Sequence, residues 1–251
     1  MLLWDEEAQM ALLCDPDSTQ FVETPIAPPE RSCRMRTGRL TLAEDGTLEG
    51  DITARYTGHQ NQRMRMLLDG VEAGEVDSTV IRECRWLQGM IEVSKLHVVP
   101  GTDRRQPLEI RAHVRLPQHA AVTGKRLLLE PAVFDSHLPT RFSASTRRTP
   151  VYFEYPWSER DSLRIELPAG WKVEAADTLA PIVASGVARY EANTTIDPAG
   201  SSLTLERSFS LGYQGSIFFP VSAYAGVKQL FDLVNQRDRA VVTLVREGSG
   251  R

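Results

Sequence analysis

Apolar and polar residues alternate along much of this chain with a period of two residues. The segment 108–116 reads LEIRAHVRL, in which every second residue is apolar. Because successive side chains of a strand point to opposite faces of a sheet, this pattern predicts a half-buried strand with His113 facing solvent. The segments 162–167 and 203–211 show the same alternation. The chain is therefore predicted to be mostly β.

Arg207 departs from this alternation. It occupies an apolar position of the strand predicted at 203–211. An arginine at such a position either extends its charged end out of a sheet edge or pairs with a buried acid. Both interpretations are structural rather than functional.

A β-hairpin is predicted around Asp45-Gly46, a dipeptide that favours the positive φ angles of a tight turn. Residues 39–43 and 47–56 form its two strands. Further strands are predicted at 91–99, 126–130, 151–155, 187–192 and 241–245.

Helical periodicity appears in two regions. Val80, Cys84 and Leu87 share one helical face, and residues 60–69 form a shorter candidate helix before them. A second apolar stripe lies near residue 230 and contains Val227, Leu230, Phe231 and Val234. The predicted fold is mainly β, sandwich-like and antiparallel, with a few helices packed on the sheets.

Two proline-containing stretches divide the chain. Residues 25–29 separate a short N-terminal piece, and residues 131–150 lose all periodicity. We expect a piece at 1–30, a β-rich subdomain with a helical insertion at 31–135, and a β-sandwich with a terminal helix and strand at 136–251.

Composition excludes several classes of protein. The 251 residues are 41% apolar and 25% charged, which is ordinary for a folded chain, and the net charge of −4 gives no attraction to nucleic acid. The basic residues are mostly arginines spread over the whole length, which we ascribe to genome composition. No apolar run reaches the ~18 residues of a membrane helix, and no signal peptide is recognised. The sequence indicates no compartment.

The usual catalytic and cofactor motifs are absent. The five histidines are scattered and the three cysteines form no C-x-x-C pair, so we expect no metal site, cofactor or disulfide framework. Cys33, which lies between arginines, is the only thiol in an electropositive setting, and no base accompanies it.

Aromatic residues cluster on the strand predicted at 151–155. Alternation places most of these rings in the core, but a stacking platform for sugar rings or peptide is the alternative. The candidate ligand-binding residues are Tyr152, Tyr155, Trp157 and Trp171.

The order of several short motifs resembles one protein family. These motifs are the Asp45-Gly46-Thr47-Leu48 turn, Tyr56-Thr57-Gly58 before an arginine-bearing helix, Arg147-x-x-Pro150, Leu167-Pro168-x-Gly170-Trp171, Phe219-Pro220 and Phe231-Asp232. Nearly the whole chain is similar to the C-terminal β-rich region of bacterial transglutaminase-like proteins. That family combines an N-terminal β-sandwich of unknown function, a papain-like core and this C-terminal region.

The resemblance implies a role for Asp15. Leu13-Cys14-Asp15-Pro16-Asp17 is similar to the strand end that carries the acid of the family's Cys-His-Asp triad, although Asp17 replaces the usual threonine. The nucleophile and the imidazole would lie upstream, so residues 1–30 correspond to the end of the core plus a linker. We therefore expect a non-catalytic accessory or scaffold region, whose partner is the upstream core or another protein.

Two alternatives remain. The chain could be a binding module for glycan or cell-wall peptide, which the aromatic cluster favours. It could also be an unrecognised hydrolase whose site is assembled by tertiary contacts. Relatives of this architecture are often exported.

Overall fold

The computed structural model describes residues 2–87, 92–101, 103 and 106–248. In this part of the chain the strands are β1 (Met10–Cys14), β2 (Thr19–Glu23), β3 (Cys33–Leu42), β4 (Leu48–Tyr56), β5 (Glu92–Val99), β6 (Leu108–Leu116), β7 (Ala121–Thr123), β8 (Arg126–Leu129), β9 (Val151–Tyr152), β10 (Trp157–Glu166), β11 (Trp171–Ala176), β12 (Ile182–Ala184), β13 (Ala188–Ile196), β14 (Ser202–Leu211), β15 (Phe218–Phe219) and β16 (Val242–Arg246). The α-helices are α1 (Gly58–Leu68), α2 (Val76–Glu83) and α3 (Tyr224–Asp238). The predicted mainly β fold with a few helices is confirmed.

Eight strands form the main sheet, in the order β12-β13-β14-β10-β3-β4-β6-β5. Neighbouring strands are antiparallel except β3 and β10, which run parallel. One face of the sheet is covered, and the other carries mostly polar side chains. On β6 every second side chain is buried, and His113 lies on the polar face as predicted. Alternation thus gives this sheet an inner and an outer face.

A second sheet covers one part of the inner face. Its strand order is β11-β16-β8-β7, and all its neighbours are antiparallel. Leu127 of β8 and Leu244 of β16 are fully buried against Leu40 and Leu163 of the main sheet. This apolar layer between the sheets makes the architecture sandwich-like.

Helix α3 covers the other part of the inner face. Its apolar stripe, at the positions predicted from helical periodicity, packs against β13, β14 and the short β9–β15 pair. Phe231 lies 5.7 Å from the Phe209 ring and 5.8 Å from the Phe153 ring, between centroids. The inner face therefore carries two apolar clusters side by side.

Strands from both sides of residue 135 share the two larger sheets. β3 pairs with β10 over nine residues, and β8 pairs with β16. The division predicted after residue 135 remains a prediction about domain organisation.

Some predicted elements differ in extent. The strand predicted at 151–155 is confined to β9. One further backbone hydrogen bond, from the Phe153 N–H to the Ile217 carbonyl, follows it before the chain turns towards β10. Helix α2 ends before Cys84, and Arg85–Leu87 form a 3-10 turn. The strand predicted at 91–99 is β5, and residue 91 lies outside the described residues. Among the helices described, none is long and apolar enough to cross a membrane.

Candidate functional site

Asp15 lies in the exposed turn between β1 and β2. Its Oδ1 accepts a hydrogen bond from the backbone N–H of Asp17 at 2.9 Å, and its carbonyl accepts one from Ser18. No histidine in the described part of the chain is hydrogen bonded to it. The Asp15 carboxylate thus stabilises this turn, and no described imidazole is its hydrogen-bond partner.

The three thiols lie in separate places. Cys14 is exposed, whereas Cys33 and Cys84 are buried. Burial raises the pKa of Cys33 despite a hydrogen bond with Ser158, and it raises the pKa of Cys84 despite a hydrogen bond with Tyr56. A catalytic thiol needs a lowered pKa, so these two environments disfavour nucleophilic chemistry.

A buried imidazole–carboxylate pair joins the N-terminal segment to α1. His59 Nε2 lies 2.9 Å from Glu7 Oε1, and His59 Nδ1 lies 3.0 Å from Gln62 Oε1. The other Glu7 oxygen accepts the backbone N–H of Ala27 at 2.9 Å. Both ring nitrogens thus face side-chain oxygens, and the pair anchors the base of the β1–β2 hairpin.

Three of the four aromatic candidates line one cleft. Tyr152, Tyr155 and Trp157 border a hollow of about 480 Å³ between α1, the 3-10 turn after α2, and the start of β10. Tyr152 is 54% exposed, and Trp157 is buried in the cleft wall. Trp171 lies elsewhere, buried on β11 beneath the Arg246 guanidinium at 5.7 Å.

Four arginines line the same cleft: Arg34, Arg63, Arg85 and Arg141. Together with Tyr152, Tyr155 and Trp157 they define what we name the arginine cleft. Arg34 donates to Glu159 at 2.7 Å and Arg63 donates to Glu154 at 3.4 Å. The cleft adjoins a smaller hollow of about 210 Å³, which shares Arg34, Arg85, Arg141 and Trp157 as lining residues.

Arg141 occupies the aromatic faces of the cleft. Its guanidinium lies 5.1 Å from the Phe153 ring centre and 5.3 Å from those of Trp157 and Phe231. Burial lowers its pKa, and the positive charge of Arg85 adds to this effect although Glu159 opposes it. The arginines of the cleft therefore act on one another electrostatically.

A buried charge network lies below the cleft, centred on Arg36. This fully buried residue donates to Asp161 from Nε at 2.7 Å and from Nη2 at 2.8 Å. It also donates to both carboxylate oxygens of Asp135, from Nη1 at 3.3 Å and from Nη2.

Arg207 completes this network. It donates to Asp238 from Nε at 2.6 Å and from Nη2 at 2.8 Å, and its Nη1 reaches Asp161 and Glu159, each at 3.1 Å. The structure thus decides between the two interpretations of Arg207 in favour of pairing with buried acids. Because Glu159 also binds Arg34, the network continues into the cleft wall.

A larger hollow of about 650 Å³ lies over β3, β10 and β14, and its lining includes Arg160, Ser162 and Glu206. Ser162 donates to Glu206 at 2.6 Å. No histidine of the described ranges lines any of these three hollows. Among the described residues, no group of three or more His, Cys, Asp or Glu side chains is placed to hold a metal ion.

The segment from just before β8 into β16 is similar to a known protein family, and these two strands pair with each other. Residues 125–244 match the family DUF3858, a domain of unknown function with a solved structure. The match covers slightly less than half of the chain. A search of curated proteins found no match.

A crystal structure of a "putative protease" from Parabacteroides distasonis ATCC 8503 is also similar. The identity is 13% and the TM-score is 0.39, over 90% of this chain and 29% of the other. The chain thus spans less than a third of the length of that protein.

The arginines of the cleft were missed by sequence reasoning. Arg34 shares the face of Leu40 and Leu42 on β3, so its position among apolar residues was a usable signal. Arg63, Arg85 and Arg141 lie in a helix, a 3-10 turn and a loop, where no period of two marks an inward side chain.

Proposed function

We propose that this chain is a non-catalytic accessory region that contacts a protein partner through its N-terminal hairpin. The observation that carries the proposal is the apolar surface of β1 and β2. Its large exposed side chains are Met10 (67%), Leu12 (49%), Leu13 (47%) and Phe21 (71%). Met10, Leu12 and Phe21 lie on one face of the hairpin, because Leu12 pairs directly with Phe21, and these three residues define the hairpin surface. Leu13 is exposed on the opposite face.

An isolated two-stranded hairpin has little stability of its own in water. Here its base is fixed by the Glu7–His59 pair, while its apolar side chains face solvent. A cluster of this kind is typical of a protein contact site. The resemblance to transglutaminase-like proteins supports a papain-like core as the partner, and the raised pKa values of Cys33 and Cys84 support the absence of thiol catalysis.

The contact is tested by titrating the chain with a separately purified transglutaminase-like core. We expect L12S/F21S to weaken binding at least tenfold, since each serine removes apolar area from the contact. The control V183S/I196S changes two apolar side chains that are also exposed but lie on β12 and β13. Equal affinity of the two variants would contradict the proposal.

The proposed absence of catalysis is tested separately. The purified chain should neither cleave peptides nor incorporate amines into protein. Thiol-dependent activity that disappears in C14A, C33A or C84A would show an enzyme instead.

A second candidate function is the binding of glycan or cell-wall peptide. The convergence of Tyr152, Tyr155 and Trp157 on one cleft favours it. A change in tryptophan fluorescence on adding cell-wall fragments, retained in W171F but lost in Y152A, would support it. Trp171 is the appropriate control because it lies away from the cleft.

A further inference from the structure

The arginine cleft contains cations without acidic partners. Two of its arginines donate to glutamates, as described above. Arg85 and Arg141 form no ion pair with any residue in the described part of the chain. Arg85 lines the cleft and is exposed to solvent. Its guanidinium can therefore receive an anion without breaking an existing pair.

Most aromatic ring faces of the cleft are already covered by other side chains. Arg141 covers Phe153 and Trp157, and the Tyr155 ring packs at 5.0 Å on His59. A sugar would need a free ring face for stacking, and Tyr152 is the most exposed ring that remains. The chemistry that the cleft offers is mainly the N–H groups of its arginines.

The charge of the cleft suits a single negative charge. Among the residues that the structure describes, its lining contains four arginines and three glutamates, a surplus of one positive charge. A carboxylate matches this surplus and fits the planar guanidinium through two parallel hydrogen bonds. A phosphate dianion would carry more charge than the surplus and would be repelled by Glu83 and Glu154.

Apolar side chains lie beside these cations. Met64 and Leu67 of α1 line the same hollow. A ligand that fits both parts carries an apolar side chain next to its carboxylate, and about 480 Å³ accommodates a short peptide segment.

We propose that the arginine cleft binds a peptide carboxylate, with Arg85 and Arg141 pairing with the carboxylate and Met64 and Leu67 contacting the adjacent apolar side chain. This deepens the second candidate function, on which it rests, by naming the ligand group. It is independent of the hairpin contact.

The test measures binding to the full chain by calorimetry with three peptides. These are acetyl-Ala-Ala-Phe with a free terminal carboxylate, its amide, and acetyl-Ala-Phe-Glu-amide with a side-chain carboxylate. We expect one or both carboxylate peptides to bind and the amide to bind at least tenfold more weakly. Comparison of the two carboxylate peptides shows whether the bound carboxylate belongs to a chain terminus or to an acidic side chain. Affinity should fall with added NaCl.

R85Q should weaken binding about tenfold or more, and because Arg85 is exposed and unpaired the variant should fold normally. R164Q, which removes an exposed arginine on the outer face of the sheet, should bind like the unaltered chain. L12S/F21S should also bind normally, which separates this site from the hairpin surface.

No binding of either carboxylate peptide would overturn the proposal, as would equal binding of the amide or undiminished binding by R85Q. Binding of neutral cell-wall glycan without peptide binding would also overturn it, while leaving the second candidate function intact. Binding of oligogalacturonate in place of the peptides would reassign the cleft to acidic glycan.

Discussion

Arg207 shows how single residues shape the interior of this protein. Its side chain is buried in the middle of the main sheet, on the same face as Leu205 and Phe209. Removing a guanidinium from such a site leaves buried carboxylates without a counter-charge, which costs more than the lost hydrogen bonds. Its hydrogen bonds therefore hold two distant parts of the chain, β10 and the end of α3, in place.

R207M should destabilise the protein by about 3–5 kcal/mol, because Asp238 stays buried without its main partner and Asp161 keeps only Arg36. Urea unfolding at pH 7 measures this. R164Q is the matched control, since Arg164 lies on the outer face and pairs with Glu166 at 2.7 Å. We expect an unchanged midpoint for R164Q. Similar midpoints for R207M and R164Q would show that the network contributes little.

His113 and His119 should titrate on opposite sides of the ordinary histidine value of about 6.5. Hydrogen bonds to Glu49 and Asp51 raise the pKa of His113, whereas burial lowers that of His119. His113 thus contributes stability below pH ~6.5 that is lost as pH rises through its raised pKa. NMR titration measures both values, and E49Q should lower the His113 value alone. A shared midpoint would contradict this.

Part of the charge network could be predicted from the sequence. Arg36, Asp161 and Arg207 lie at apolar positions of their strands, so the period of two marks them as inward-facing. Asp135 and Asp238 lie in a loop and at the end of α3, outside any strand. Their approach to the arginines depends on tertiary packing and could not be inferred from spacing.

At the scale of elements, the β3–β4 hairpin was predictable because its signal is local. Gly46 has a φ of +83°, and Asp45 accepts the backbone N–H of Thr47 at 2.9 Å. The parallel pairing of β3 with β10 was not predicted. Its partners lie about 125 residues apart, so no local motif specifies their register.

G46A should destabilise the hairpin more than G124A, although both glycines have positive φ. A Cβ at Gly46 would lie 2.0 Å from the carbonyl oxygen of Ala120, which is backbone and cannot rotate away. At Gly124 no atom lies within 4 Å, so only the backbone strain of about 1–2 kcal/mol remains. Thermal unfolding of both variants measures the difference. Equal losses would show that the backbone near Ala120 yields readily.

At the scale of the whole molecule, the charge network lies between the two apolar clusters of the inner face. Trp171 belongs to the cluster under the second sheet and Trp157 to the cluster under α3. Because β10 and β14 contribute side chains to both clusters, we expect the clusters to unfold together. In a W4F background, W157F leaves tryptophans only in the cluster under the second sheet (Trp86 and Trp171), whereas W86F/W171F leaves one only in the cluster under α3 (Trp157). The fluorescence transitions of these two variants in urea should coincide once corrected for stability. Separate transitions would indicate two independent units.

The charge network should also make the free energy of unfolding depend on pH. Burial opposes ionisation of Asp135, but Arg207 and Arg36 outweigh it and hold the pKa of Asp135 below its usual range. A carboxyl group with a lowered pKa contributes stability above its unfolded value of about 4, and this contribution is lost as pH falls. D135N should therefore be less stable than the unaltered chain at pH 6, and the difference should shrink below about pH 4.

Asp161 and Asp238 have the opposite effect on the pH dependence of stability, because burial raises their pKa values despite the nearby Arg36 and Arg207. The difference between the unaltered chain and D135N isolates the contribution of Asp135 from theirs. Urea unfolding of both proteins between pH 6 and pH 2.5 measures it. D177N, which changes an exposed aspartate just after β11, is the control and should show a small difference at every pH. A D135N difference that stays constant over this range would mean that folding does not change the pKa of Asp135.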